Sequence, residues 1–157
     1  TAGAGVGLVL ENTAGQGTSL GHRLEHLRDI LAGVDQPERL GVCLDTNHLF
    51  AAGYDLRDAE SYAATMAAFE RTVGFEFLRA LHLNDSKRAL GSRVDRHAHI
   101  GRGALGVGAF RLFLNDPRLL ALPGVIETEK TDDGDADRMN LGVLRRLRRR
   151  GVRPRRG

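Results

Sequence analysis

Leu40-Gly41-Val42-Cys43-Leu44-Asp45 is an apolar run that stops on a carboxylate. Continuous rather than alternating hydrophobicity predicts a strand buried on both faces, as in a parallel sheet. The pattern recurs three times. Val6-Gly7-Leu8-Val9-Leu10 ends at Glu11, Leu78-Arg79-Ala80-Leu81 at His82, and Pro123-Gly124-Val125-Ile126 at Glu127. The four endpoints are separated by 34, 37 and 45 residues, each interval long enough for a βαβ unit of about 30 residues. Helical periodicity fills the gaps: Leu24, Leu27, Ile30, Leu31 and Val34 share one face, and Tyr62, Met66, Phe69 and Val73 another. Asp135 and Asp137 open a last helix whose apolar side includes Leu144 and Leu147.

The order is therefore four successive βα units of an α/β fold, with right-handed crossovers expected. Two architectures fit, a small open doubly wound sheet and half of a (β/α)8 barrel. A complete barrel takes about 250 residues, so four units in 157 residues make half of one. Barrel chemistry sits at the C-terminal ends of the strands, where the four polar endpoints fall. The longest irregular stretch, residues 84–108, carries Asp95, Arg96 and His97. Loops beyond about 12–15 residues are uncommon in a domain unless functional, so this one reads as an active-site loop.

Hydrophobic residues make up 41% and charged residues 27% of the chain, a globular rather than disordered mix. No apolar run approaches the roughly 20 residues needed to cross a bilayer, and the start has no basic signal-peptide region. Cys43 is the single cysteine, which excludes an internal disulfide and suits a reducing compartment; a cytoplasmic location and no membrane partner are expected. The chain opens on Thr1 and runs almost at once into a strand, so a longer parent is expected. Net charge is +3, but eight arginines crowd into residues 145–156, leaving residues 1–144 at −5. Those arginines suit a helix C-terminus; without interleaved aromatics they carry no base-stacking signal.

Glu11, Asp45, His82 and Glu127 converge on one rim if their strands are neighbours. Asp45-Thr46-Asn47-His48 adds His48 at a strand end, and Asp95-Arg96-His97 adds a pair two residues apart, on one side of an extended chain. Four carboxylates and three imidazoles suit zinc, with manganese as the alternative, and not a thiolate site. The uncompensated cluster would repel itself, and seven ligands exceed one tetrahedral zinc, so at least two ions are implied. Two-metal sites serve in-line displacement at phosphorus. Taken singly, each carboxylate also reads as a helix cap and each histidine as hydrogen-bonded scaffold. Gly101-Arg102-Gly103-Ala104-Leu105-Gly106 matches G-x-G-x-x-G but follows a polar loop rather than a buried strand, which argues against dinucleotide binding. His22 and His26 read as solvent-facing, His99 as support for a ligand or ordinary scaffold, and Cys43 as a small core residue.

These segments resemble the endonuclease IV family of zinc-dependent apurinic/apyrimidinic (AP) endonucleases. Residues 10–17, LENTAGQG, resemble its first signature, residues 41–56, GVCLDTNHLFAAGYDL, its second, and residues 82–103, HLNDSKRALGSRVDRHAHIGRG, its third. Val125-Ile126-Glu127-Thr128 matches its last metal-binding strand. The resemblance implies a (β/α)8 TIM barrel, here its last four βα units, with residues 1–150 as the C-terminal half and 151–157 as a basic tail. It implies three zinc ions in a complete enzyme: Glu11 bridges the first and second, Asp45, His82 and Glu127 complete the second, and His48, Asp95 and His97 hold the third. Glu11 and Glu127 are the expected catalytic carboxylates. The implied activity is a DNA-repair phosphodiesterase that cuts double-stranded DNA 5′ to an abasic site, leaving a 3′-hydroxyl and a 5′-deoxyribose phosphate without a protein nucleophile. Gln16 and Arg96 are the expected DNA contacts, while Asn84 and Lys87 match motif positions and shape the loop.

Two departures stand out. Asn47 occupies a position where the family has a small residue or Cys. The first four βα units are absent, and with them two histidines of the first zinc site and the loops that wedge into DNA. The second and third sites are then fully represented. Two other readings remain: a truncated, non-catalytic fragment that needs the missing half-barrel or a second chain to complete the fold, and a metal-dependent sugar isomerase or epimerase on a related barrel, for which the Asp-Arg-His segment is surplus.

Overall fold

In the computed structural model, which describes residues 6–149, four parallel strands form one sheet. They are β1 (Leu8–Glu11), β2 (Leu40–Asp45), β3 (Leu78–His82) and, after the ribbon strands β4 (Asp85–Ser86) and β5 (His97–Ala98), β6 (Gly124–Val125). Helix α1 (Leu24–Ala32) links β1 to β2. Helices α2 (Thr46–Ala52) and α3 (Ala59–Thr72) link β2 to β3, α4 (Gly106–Phe113) precedes β6, and α5 (Asp135–Leu147) follows it. The basic tail expected over 151–157 lies outside the described residues.

The sheet order β1-β2-β3-β6 decides between the two architectures. A doubly wound sheet reverses direction at a switch point and carries helices on both faces. Here the order advances one way only, so crossovers of one hand stack every helix on the same face, as in a barrel wall. Val42, Leu44, Leu78 and Leu81 join Leu24, Leu27, Leu31, Met66, Phe69, Phe110, Phe113 and Leu144 in one core.

Among the described residues no helix or second sheet covers the other face, which corrects the expectation that every strand is buried on both sides. Only β2, in the middle, is enclosed throughout. At the edges Leu8 is 61%, Val9 48% and Val125 47% exposed, because β1 and β6 each lack a neighbour on one side. Ile30 and Val34 are also exposed. The buried stripe of α1 is Leu24, Leu27 and Leu31, and the helix stops at Ala32 with Gly33 as its cap, so Val34 is beyond it.

The segment expected to be irregular, 84–108, contains order. β4 and β5 pair antiparallel, and Lys87 N–H donates to Arg96 O (2.9 Å). The tip is tied to the end of α2 by Gly91 N–H to Phe50 O (3.0 Å) and Arg93 N–H to Ala51 O (2.9 Å).

An unpaired strand edge beside uncovered apolar side chains favours association. The purified chain is expected to show concentration-dependent self-association by light scattering, and Val9→Lys to shift it towards monomer. A wild-type chain that stays monomeric at all concentrations contradicts the open-face description.

Candidate metal centre at the strand ends

Parallel register brings the polar endpoints together. Asp45 pairs with His82 and His82 with Val125, while Glu11 lies beside Cys43. His82 Nδ1 consequently sits 3.1 Å from Glu11 Oε1, 3.0 Å from Glu127 Oε2 and 3.9 Å from Asp45 Oδ2. One ligand atom from each of Glu11, Asp45, His82 and Glu127 lies within 4.8 Å of the others, close enough to share a metal ion.

A second group adjoins the first. Asp45 caps α2 by accepting from His48 N–H (2.9 Å), which turns the His48 ring back over the strand ends. The pairing of β5 with β4 brings His97 in from the other side. His48 Nε2 is 3.2 Å from Asp95 Oδ2, and His97 Nε2 is 3.1 Å from Asp95 Oδ1 and 3.9 Å from Asp45 Oδ2. Asp45, His48 and His97 meet the same 4.8 Å criterion, so Asp45 belongs to both groups, whereas the sequence reading assigned it to one.

The hydrogen-bond directions suit an ion. His48 Nδ1 contacts Asn12 O (2.8 Å) and His97 Nδ1 contacts Glu127 O (3.1 Å). Carbonyls only accept, so each Nδ1 donates, and Nε2 is the nitrogen that presents a lone pair once the ring is neutral. Those two Nε2 atoms are buried without a hydrogen-bond partner, even though Asp95 is within ion-pair distance of each. Two buried imidazole nitrogens without a hydrogen-bond partner beside a carboxylate are a nitrogen and oxygen donor set that fits a zinc ion. A backbone carbonyl on the far nitrogen is also the usual support for a metal-bound histidine.

The supporting contacts that sequence reading missed come mostly from buried amides. Asp45 N–H donates to Asn12 Oδ1 (2.7 Å). Asn84 donates through Nδ2 to Asp45 Oδ2 (2.6 Å) and accepts from Glu127 N–H through Oδ1 (2.7 Å). Asn47, the departure from the family pattern, donates to Asp95 Oδ1 (3.0 Å). Asp85 explains the glycine motif. Its buried carboxylate accepts from the N–H groups of Ser86, Gly101, Gly103, Leu105 and Gly106. A Cβ at Gly103 would collide with that carboxylate. The glycines thus wrap an internal anion, in the manner of a backbone nest, and hold the loop that carries Asp95 and His97. Asn140 ties Ile100 N–H, His99 and Thr128 to α5, so His99 is scaffold.

Electrostatics follow the geometry. Burial pushes the Glu11 carboxyl up, but contact with His48 and the charge of His82 outweigh it and hold it below the ordinary value. Burial dominates at Asp45 and raises its carboxyl. For His48, burial favours the neutral ring, yet Glu11, Asp45 and Asp95 together lift its pKa from 6.5 to about 9. Cys43 is pushed up to about 12 by burial and by Glu11 and Asp45, so it stays a thiol.

Gln16 accepts from Asp95 N–H through Oε1 (3.1 Å), which places its loop against the metal-side ribbon. Arg96 is exposed, with Nη1 donating to Asp95 O (2.7 Å). His22 and His26 are half-buried, which corrects the solvent-facing expectation; their rings stack edge-on at 4.9 Å behind the Gln16 loop. A concavity of about 500 Å³ around Arg111, Asp116 and Arg118 contains none of these ligands. Its buried polar group is satisfied internally by Tyr62 and Arg118 on Asp116.

A family model described as xylose isomerase-like TIM barrel matches residues 1–147. The chain belongs to that family. Within it, the chain is similar to "Probable endonuclease 4" of Chloroflexus aggregans, 57% identical over 89% of this chain and 49% of the relative. The protein of the same name in Geobacter sulfurreducens is 54% identical over 91% of this chain and 48% of the relative. Among solved structures, endonuclease IV from Thermus thermophilus superposes with a TM-score of 0.76 at 44% identity, over 89% of this chain and 49% of that one. The resemblance to the endonuclease IV family is borne out, and the chain spans about half the length of the curated relatives it matches. Half the length of a barrel protein, arranged as four βα units in monotonic order, is a half-barrel.

Because contact with Glu11, Asp45 and Asp95 raises the His48 pKa to about 9, a metal ion competes with a proton for that ring. Zinc affinity is expected to rise with pH between 6.5 and 9, with proton release on binding, as measured by calorimetry in buffers of different ionisation enthalpy. Affinity independent of pH over that range excludes His48 as a ligand.

Proposed function

We propose that this chain is the C-terminal, metal-binding half of a zinc-dependent DNA-repair endonuclease that hydrolyses the phosphodiester 5′ to an abasic site, leaving a 3′-hydroxyl and a 5′-deoxyribose phosphate. The observation that carries this is the convergence of Glu11, Asp45, His82 and Glu127 with His48, Asp95 and His97 at the strand ends, in a chain more than half identical to proteins named as endonucleases. The proposed extents are 1–150 for the half-barrel and 151–157 for a basic segment outside the described residues, and a cytoplasmic location fits the single cysteine.

The all-nitrogen-and-oxygen donor set suits zinc, and manganese less well. Glu11, Asp45, His82 and Glu127 would hold one ion, and His48, Asp95 and His97 another, with Asp45 within reach of both groups. By the family resemblance, Glu11 would also serve a third ion, for which the described residues show no further ligand group. Ions bound there supply Lewis-acid stabilisation of charge at phosphorus and an activated water. The chain's own residues set the stage. Glu11 and Glu127, the least buried members of the first group (side chains 34% and 45% exposed), face the rim where a phosphodiester would lie. Residues 1–144 carry a net charge of −5, so the rim accepts a DNA backbone only once cations neutralise it. Arg96 keeps guanidinium N–H groups free of its own carbonyl contact for a phosphate, and Gln16 lies on the same rim as a second DNA contact.

A second reading is favoured by the bare sheet face: the chain alone is non-catalytic and gains activity only with the rest of a barrel. The isomerase alternative leaves the Asp95–His97 ribbon without a role. Joined to the missing half of the Chloroflexus aggregans relative, the chain is expected to nick duplex DNA at an abasic site, to lose activity in EDTA, and to lose nearly all of it on Glu127→Ala. The chain by itself should show little nicking. Robust zinc-dependent cleavage by the isolated monomer contradicts the half-barrel requirement, and full activity of the Glu127→Ala fusion contradicts the ligand assignment.

A further inference from the structure

One oxygen, Asp45 Oδ2, lies 3.9 Å from both His82 Nδ1 and His97 Nε2, and so stands between the two ligand groups. The side chain that fixes this oxygen is Asn84. Its Nδ2 donates to Asp45 Oδ2 at 2.6 Å and reaches Glu127 Oε2 at 3.4 Å, while its Oδ1 accepts from Glu127 N–H at 2.7 Å. Asn84 is itself held rigidly. Its backbone N–H donates to Thr46 Oγ1 (2.9 Å), and its carbonyl accepts from the same hydroxyl (2.7 Å). Asn84, Asp45 and Thr46 are fully buried. Water is thus excluded from this network, where each bond is stronger and each lost partner more costly.

We propose that Asn84 is a positioning residue which, by holding Asp45 Oδ2 and the Glu127 backbone in one frame, couples the loading of the two metal ions; this rests on the metal-centre reading above. The chemistry is directional. An amide donor occupies one lone pair of Asp45 Oδ2 and leaves the other towards the two ligand groups, so the amide fixes how that oxygen would present to either. Asp45 Oδ1 is already committed to the His48 N–H, so Asp45 cannot rotate to offer a different oxygen without giving up its helix cap. A single amide therefore sets the ligand shared by both groups, and through Glu127 a second ligand of the first.

Asn84→Asp tests this. The substitution preserves shape and can keep the acceptor for Glu127 N–H, but replaces the Nδ2 donor with an oxygen facing the Asp45 carboxylate. Zinc would be titrated into metal-free wild type and variant against a chromophoric chelator, with circular dichroism of the metal-free forms as the control for folding. Cobalt(II) absorption would report ligand geometry. The expected result is a folded variant in which both binding steps weaken by about 10- to 100-fold, the range for losing support of a metal ligand, with altered cobalt bands. Asn84→Ser, which retains a short hydrogen-bonding side chain, serves if the aspartate variant does not fold, and the same weakening of both steps is expected. Unchanged affinity, or weakening of one step only, overturns the coupling while leaving the metal centre intact. Failure of the wild type to bind zinc overturns the metal-centre reading itself.

Discussion

Four carboxylates, Glu11, Asp45, Asp95 and Glu127, are held on one rim by the strands and ribbon that carry them, and their mutual repulsion is the constraint that the surrounding structure answers. Parallel register sets the spacing: each strand ends one step from its neighbour, so polar endpoints cannot avoid one another. Without compensation such a cluster raises its own pKa values and loosens the fold around it. The chain supplies partial compensation in two forms. Imidazoles from His48, His82 and His97 sit between the carboxylates, and buried amides from Asn12, Asn47 and Asn84 donate to the backbone or carboxylates around them. What remains, two buried Nε2 atoms beside Asp95 without a hydrogen-bond partner, is the part that a cation completes.

Hydrogen bonding also separates two kinds of anion in this protein. Asp85 is as buried as Asp45, yet its carboxylate is surrounded by five backbone N–H groups from the glycine-rich turn and the adjoining ribbon strand. It is a structural anion with no capacity left for metal. Asp45 has a backbone N–H on one oxygen and one amide on the other, which leaves lone pairs available to a cation. Their roles differ because their partners differ.

Much of this was legible in the sequence, for physical reasons. Apolar runs ending on ligand-type side chains identify both the strands and the rim, because a parallel sheet accounts for continuous hydrophobicity at that length. The motifs then place His48, Asp95 and His97 beside the strand ends. The exposed sheet face was less legible: Val9 and Val125 look like core residues in any window of sequence, yet among the described residues each lies on an edge strand and is about half exposed. Ile30 lies within α1 but off its buried stripe of Leu24, Leu27 and Leu31, and Val34 lies beyond the helix end at Ala32. The role of Gly101, Gly103 and Gly106 was hidden because their partner, Asp85, lies 16 to 21 residues earlier. An asparagine such as Asn84 has no local signature of the contacts it makes; its position two residues after a strand-end histidine was the available clue.

The central claim is that the strand-end side chains form a multinuclear metal centre in this chain. Elemental analysis of chain purified without chelator, on a sample whose size is fixed by light scattering, tests it most directly. Two zinc ions per chain is the predicted result, one for each ligand group. A folded, soluble chain that carries no metal and takes up none from solution contradicts it.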